Sequence, residues 1–358
     1  MSDKLKNIII VLSFFLILGI FFFLNLVTPN KKVSMSERRN LAPLPSFKIS
    51  KILDGSYFKE FENYSMDQFY QRDFFRKIKI NLDLAIKGSY NNIGLYNDYM
   101  YEDLYPLNNN SVLNLTKKIN NIVDNYLTNN NKVYYTIVPD KSYYIDKNNL
   151  KIDYNQLLSL LNNNIKGEYI NIFNKLSLND YYKTDTHWQE EKLLKVAKHL
   201  GNIMNFSVEE DTTFEKINSF QGVYTSRLVQ NNNKDNILIG HNKYLDEAIL
   251  KDMITNKELS IYADVSTSLD KYDTYLQGSK ALLELYNPLS NNDKELIVFR
   301  DSYASSLIPL MISGYKRIIL VDTRYISPKI LTNYIDFNNQ DILFIYGVLM
   351  VNNSYTIR

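Results

Sequence analysis

Asp185 and His187 stand two residues apart in the run Tyr181-Tyr182-Lys183-Thr184-Asp185-Thr186-His187-Trp188, which holds the only tryptophan of the chain. In a turn, that spacing lets a carboxylate face one imidazole nitrogen, fix the tautomer and leave the other nitrogen free as a base. The same residues suit a capped helix start, with Asp185 or Thr186 as N-cap and Gln189 or Glu190 reaching back. The two readings are compatible, because such a cap would hold an Asp–His pair rigid. Ser302 is the second candidate. It follows the apolar word Leu296-Ile297-Val298-Phe299 and precedes a helical pattern, so it falls at the carboxyl end of an expected strand, where chemistry collects in parallel sheets. There its oxygen would be exposed and its backbone N–H turned toward a developing oxyanion. N-capping alone also explains an Asp-Ser pair before a helix. Together with the separate Asp-x-His, Ser302 points to a Ser–His–Asp hydrolase or transferase.

Other residues carry less. His199, inside a helical pattern, and His241, in an Asn-rich stretch, read as ordinary surface or part-buried histidines. His187, Glu190 and Glu191 have no recognised metal-ligand spacing, and no metal is expected. Lys141, after Pro139-Asp140, reads as a solvated loop lysine. The chain has no cysteine, which removes thiolate metal sites, disulfides and Cys nucleophiles. With 41 Lys+Arg against 39 Asp+Glu, the net charge is +2; nucleic acid is not an expected partner, because phosphate binding leaves a clustered basic footprint.

The elements that must position these residues are legible in outline. Residues 133–138 form a β-rich run closed by Pro139, and 296–299, 317–321 and 342–346 are further short apolar strands. A helical pattern follows Ser302 as far as Ser313, and another occupies 327–333. Residues 186–204 begin in a polar turn and continue as a helix through Leu193, Leu194, Ala197 and Leu200. Asn231 to Asn236 is a polar loop before a short strand at 237–239. Strands alternating with helices imply an α/β fold with a parallel sheet covered on both faces. From 57 to 87, Phe58, Phe61, Phe69, Phe74, Phe75, Ile78, Leu82 and Ile86 recur at helical spacing.

Residues 8–27 are apolar except for Ser13, Gly19 and Asn25, and about 20 such residues cross a bilayer as a helix. Lys4 and Lys6 precede the run and place the N-terminus in the cytoplasm. Lys31, Lys32, Arg38 and Arg39 follow it and work against that orientation. Val27-Thr28-Pro29-Asn30 offers no small-x-small cleavage site, so an uncleaved signal anchor is expected rather than a signal peptide. Residues 31–55, with Pro43 and Pro45, read as an extended linker.

The outer part of the chain resembles the bacterial DHHW family, relatives of the alginate O-acetyltransferases. The resemblance is carried by Ser36-Glu37-Arg38-Arg39-Asn40-Leu41-Ala42, by Asp67-Gln68-Phe69 and Arg72-Asp73, and by Ile93-Gly94-Leu95-Tyr96 and Val138-Pro139-Asp140-Lys141. Asp185-Thr186-His187-Trp188 stands where the name-giving motif belongs. Phe220-Gln221-Gly222-Val223-Tyr224, Lys271-Tyr272-Asp273, Asp301-Ser302 and Val321-Asp322-Thr323-Arg324-Tyr325 follow in order. The likeness implies a variant of the SGNH-hydrolase fold over residues 56–358, behind the linker at 31–55 and the cytoplasmic tip and anchor at 1–30. It also implies Ser302 as nucleophile, His187 as base and Asp185 as its orienting partner. Gly278-Ser279 stands where the family has a Gly-Asn pair taken as an oxyanion element, and Arg300 stands where SGNH hydrolases usually have glycine. Trp188, Arg300 and Tyr303 are the remaining candidate substrate or oxyanion neighbours.

By that resemblance the chain is expected to move an acetyl group to a polysaccharide hydroxyl outside the membrane, through an acetyl-serine and without a cofactor of its own. A multi-pass membrane-bound O-acyltransferase would supply the acetyl group. An acetylesterase using water as acceptor shares the same residues. A non-catalytic polysaccharide-binding component of an export complex is the alternative from another class.

Overall fold

A computed structural model of the chain describes residues 2–34, 36–37, 39–146, 150–229 and 234–358. Arg38 and the polar stretch 231–233 lie outside the described residues. The chain divides into two compact units, one of Met1–Tyr90 with Thr225–Gln230, the other of Asn91–Tyr224 with Asn231–Arg358.

In the first unit, helix α1 (Asp3–Val27) is long and apolar enough to cross a membrane. One such helix at the N-terminus fits a signal anchor or a signal peptide. Residues 31–55 hold a two-residue ladder, Val33–Ser34 against Arg39–Asn40, and a short helix at Ile49–Leu53. The periodicity of 57–87 resolves into two helices, α2 (Ser56–Asp67) and α3 (Arg72–Lys87). The break has a local cause. The Gln68 amide pairs with the backbone of Lys31 through both its ends (2.9 and 3.0 Å), and Gln71 takes a left-handed φ of 54°.

The second unit is built on one sheet. Its strands are β1 (Lys132–Val138), β2 (Glu168–Tyr169), β3 (Ile249–Asp252), β4 (Lys257–Leu259), β5 (Leu282–Tyr286), β6 (Glu295–Arg300), β7 (Arg317–Val321) and β8 (Asp341–Gly347). They lie in the order β4-β3-β5-β7-β6-β8-β1-β2. The five from β7 to β2 run parallel, whereas β5, β3 and β4 extend the sheet antiparallel. The sheet is therefore mixed and mostly parallel. The connection between β3 and β4 is too short for a crossover, which leaves antiparallel pairing as the only choice.

Side chains along β6 show why the sheet is covered on both faces. Leu296 and Val298 join Leu320, Leu343 and Ile345 in one core under helix α6 (Leu194–Met204) and the segment after Ser302. Ile297 and Phe299 join Tyr135, Ile319 and Phe344 in the other, under helices α4 (Asn109–Tyr126) and α5 (Tyr154–Asn164). The helical pattern after Ser302 is only one turn of α-helix, Ala304–Leu307, followed by a 3-10 helix at Ile308–Gly314. Pro309 has no N–H to give to the carbonyl four residues back, which tightens the segment. Residues Pro328–Asn333 are likewise 3-10 rather than α.

Candidate active site

The segment before α6 is a closed loop rather than a helix start. Tyr181 and Trp188 form an antiparallel bridge, Tyr182 N–H donates to His187 O at 3.0 Å, and Gln189 N–H donates to Asp180 O at 2.8 Å. The capping expected of Asp185 or Thr186 does not occur, because 3-10 turn Glu190–Lys192 comes next and α6 starts only at Leu194. Freed from capping, the Asp185 carboxylate turns to the histidine. Its Oδ1 lies 2.6 Å from His187 Nδ1 and accepts His187 N–H at 3.1 Å, while Oδ2 accepts Val223 N–H at 3.0 Å. Val223 can approach because Gly222 has no side chain. A Cβ there would stand 2.4 Å from both Asp185 Cβ and Thr184 O.

A second carboxylate holds the loop from behind. Asp235, buried at the start of the hairpin strand Asp235–His241, accepts Lys183 N–H and Thr184 N–H, each at 2.7 Å, and the Thr184 hydroxyl at 2.5 Å. Thr184 Oγ1 in turn accepts Gly222 N–H at 2.8 Å. Backbone groups of a loop that would otherwise go unpaired are thereby satisfied, which is what a buried irregular segment requires.

Ser302 arrives from the far side of the fold, one residue beyond the Asp301 that follows β6. Its Oγ lies 2.8 Å from His187 Nε2. Turn formation there falls to Asp301, not to the serine. Asp301 Oδ1 accepts Tyr303 N–H at 3.0 Å and Oδ2 accepts Gly347 N–H at 2.7 Å, so Ser302 Oγ is left to the imidazole. The Ser302 backbone N–H has no hydrogen-bond partner among the described residues. Burial pushes the Asp301 carboxyl up in pKa, against those two hydrogen bonds.

Electrostatics fits the same line. Burial would raise the Asp185 carboxyl, but the charge of His187 and the hydrogen bonds from His187 and Val223 outweigh it and hold the group well below the usual carboxylate range. An ionised Asp185 accepts the proton on Nδ1, which assigns the lone pair to Nε2, facing Ser302. Tyr272 lies flat on the imidazole, with centroids 3.7 Å apart and planes within 6°. Its hydroxyl pairs with Ser306 Oγ at 2.8 Å.

Of the other expected site residues, Trp188, Tyr303 and Arg300 pack around this line, whereas Gly278 and Ser279 do not bond to it among the described residues. Trp188 is fully buried, and its Nε1 donates to Tyr303 O at 2.9 Å. Tyr303 is buried and donates to Thr186 O at 2.9 Å, so the two turns are cross-tied. Arg300 is buried beneath Ser302, with Nη1 donating to Ser305 Oγ at 2.7 Å; burial lowers its pKa. Gly278 N–H donates to Tyr275 O at 3.2 Å and Ser279 is exposed. Neither makes a hydrogen bond to Asp185, His187 or Ser302 among the described residues.

Lys141 is a correction. It is only 2% exposed, donates to Tyr182 O at 2.8 Å and stands over the Tyr224 ring at 4.9 Å. Burial pushes its ammonium pKa down to about 7, against the attraction of Asp185, Asp235 and Asp140. His199 instead bonds Asn171 O, His241 bonds Asp246, and Glu190 is buried against Gly240 N–H and the Tyr262 hydroxyl. Tyr272, Gly222 and Asp235 were not singled out as site residues from sequence. The first two lie in words the family resemblance quotes; Asp235 has no local signal at all.

No protein-family model matches the chain, and no curated protein matches it. Solved structures do. A DHHW family protein from Eubacterium siraeum DSM 15702 superposes with a TM-score of 0.62 at 18% identity, over 75% of this chain and 95% of that one. Bacillus cereus PatB1, solved with a sulfonyl adduct, gives 0.55 at 16%, over 72% and 97% of the two chains. PatB1 without it gives 0.51 at 15%, over 72% and 96%. At such identities the likeness lies in the architecture: the chain has the α/β, SGNH-like fold of the DHHW protein and PatB1, with a mixed, mostly parallel sheet among helices.

Proposed function

We propose that the chain is an O-acetyltransferase that works outside the membrane on hydroxyls of a polysaccharide, with Ser302, His187 and Asp185 as its catalytic residues. The observation that carries this reading is the unbroken line Asp185 Oδ1–His187 Nδ1 at 2.6 Å and His187 Nε2–Ser302 Oγ at 2.8 Å. A hydroxyl that close to an imidazole held by an ionised carboxylate is an activated nucleophile.

In the first half-reaction, Ser302 Oγ attacks the acetyl carbonyl as its proton passes to His187 Nε2. The developing oxyanion faces the free N–H of Ser302. The C–O bond to the donor breaks, and the imidazolium returns the proton to the leaving oxygen. In the second, a sugar hydroxyl gives its proton to Nε2 and attacks the acetyl-serine, and Ser302 leaves with the proton. Asp185 stays ionised throughout and stabilises the imidazolium. Acetyl-CoA is cytoplasmic, so an outward-facing enzyme needs a relay; a multi-pass membrane-bound O-acyltransferase is the partner proposed for it, with α1 as an uncleaved anchor.

The test is intact mass of the full chain in detergent after exposure to p-nitrophenyl acetate, beside Ser302→Ala and His187→Ala. One acetyl group mapped to Ser302, and absent from both variants, is the expected result. A wild type that neither gains acetyl nor turns over the ester would sink the proposal. Adding oligosaccharides then separates transfer from hydrolysis, since only a transferase clears the adduct faster with sugar than with water.

A further inference from the structure

Helix α3 carries an apolar face that the protein does not bury. Phe74, Phe75, Ile78, Leu82 and Ile86 are all exposed, Ile86 to 78%. At 100° per residue they share an arc of about 120°. Ile80, on the opposite side of the helix, is buried, and exposed Lys77 and Lys79 flank the arc. A surface helix normally turns its apolar stripe inward; here, among the described residues of α3, Ile80 alone is buried and the larger apolar face is left exposed.

The bare stripe is fastened to α1. Phe69, just before α3, stacks on Phe21 with centroids 5.7 Å apart, and Phe75 meets the same ring at 5.8 Å. Asn25, a polar residue in an apolar helix, accepts Tyr70 N–H at 2.7 Å and donates to Phe21 O at 2.8 Å. Asn25 is thus explained as the clasp for this turn. Phe21 lies about 9 Å before Val27 along the helix axis. With α1 across a bilayer, that depth is below the headgroups, and Phe69 and Phe75 are held at the same level.

We infer that α3 lies in the outer leaflet of the membrane, its bare stripe covered by lipid acyl chains and its lysines among anionic headgroups. Interfacial helices sink about 5–10 Å past the headgroup boundary, which matches the depth that Phe21 imposes. Phe58 and Phe61 on α2 are exposed as well. The inference rests on α1 being an uncleaved span and is independent of the chemistry of Ser302.

The absence of cysteine makes the test clean. Spin labels would be placed on the full chain at Phe74→Cys, Ile78→Cys and Leu82→Cys, at Leu16→Cys within α1, and at Lys87→Cys away from the arc. In vesicles of phosphatidylcholine and phosphatidylglycerol, collision with oxygen is compared with collision with a water-soluble nickel chelate. Labels at 74, 78 and 82 should favour oxygen severalfold, and the label at 87 should favour the chelate. Chelate access at 78 equal to that at 87, with 16 deep in the bilayer, overturns this inference and leaves the anchor standing. A label at 16 open to the chelate overturns the anchor and the inference together. Labels at 74, 78 and 82 shielded from both reagents mean that a protein covers the face, and overturn lipid as its occupant.

Discussion

The Asp185–His187–Ser302 line and the pair Gly278-Ser279 were expected to form one site, yet that line and the turn at 276–279 that carries the pair are held in different ways. Asp185 answers to His187 and Val223, the loop around it to Asp235, His187 to Tyr272, and the Ser302 turn to Asp301, Gly347 and Trp188. Val223, Asp235, Tyr272 and Gly347 come to this line from four separate stretches of chain. The 276–279 turn is held by the segment 260–262 and by its own neighbours: Leu276 N–H donates to Ile261 O at 2.9 Å and Gln277 Nε2 to Ser260 O at 2.5 Å. Leu276, Gln277 and Gly278 take left-handed φ values of 52°, 63° and 68° in succession, a strain of about 1 kcal/mol or more for each residue with a side chain. Gly278 closes the turn with its N–H on Tyr275, and a Cβ on it would sit 2.4 Å from Asp273 Oδ1. The difference teaches that this turn is set by residues 260–261, Asp273 and Tyr275, and among the described residues it makes no hydrogen bond to Asp185, His187 or Ser302. In the proposed mechanism, Ser302 N–H is therefore the donor assigned to the oxyanion.

The contrast is sharpest at Asp185. Asp185→Asn keeps the shape but turns an amide toward Nδ1, stabilising the wrong tautomer; kcat for ester turnover should fall by about 10⁴-fold with KM nearly unchanged. A loss under tenfold would mean that the buried carboxylate does not orient the base. Gly222→Ala comes next. Its Cβ must displace Asp185 or Thr184, and a misplacement of about 1 Å costs about 10²-fold in rate. Activity close to wild type, with an unchanged melting temperature, would show that the loop yields more easily than its hydrogen bonds suggest.

Lys141 tests the support behind the loop through pH. Unfolded, its ammonium keeps its proton up to the ordinary value of 10.5; folded, it releases it near 7. Between those values the unfolded state binds more protons, so stability rises with pH, by at most about 1.4 kcal/mol per unit. Below pH 7 both states are charged and the folded state carries the full penalty. Melting curves in detergent at pH 6, 8 and 9 should show Lys141→Met with a shallower rise than wild type; parallel curves would mean the folded lysine keeps its ordinary pKa. The smallest effect is expected at Ser279→Ala, less than about threefold in kcat because the side chain is exposed and unconnected to Ser302. A loss of 10²-fold or more there would break the comparison, since it would require the turn to rearrange onto the substrate.

Much of this was legible before the fold was known. The strands at 133–138, 296–299, 317–321 and 342–346 appear within one or two residues of their expected bounds, because continuous apolar β-branched runs bury both faces of a parallel strand. β3, β4 and β5 were not anticipated. They are short, carry Lys251, Glu284 and Glu258 among their apolar residues, and owe their pairing to neighbours rather than to pattern. The capped start expected at Asp185 failed for a related reason. Local rules assign a cap to the nearest acid, but here Asp185 is claimed by Val223 and His187, and Asp301 does the local work beside Ser302. Lys141 was misread as solvated because sequence shows a charge and not the carbonyls of Tyr182 and Lys183 waiting above it.

By itself, the sequence determined the properties that depend on near neighbours. These are an apolar helix of membrane length, an Asp two residues before a His, a Ser just past a strand, and alternation fit for a covered sheet. Only the tertiary structure decided what depends on distant ones. It set Ser302 against an imidazole 115 residues earlier, laid Tyr272 on that ring, latched the loop with Asp235, and left one face of α3 bare beside Phe21. Periodicity is a property of a segment, whereas a hydrogen bond across the fold depends on where two segments end, and that is set by the packing of everything between them.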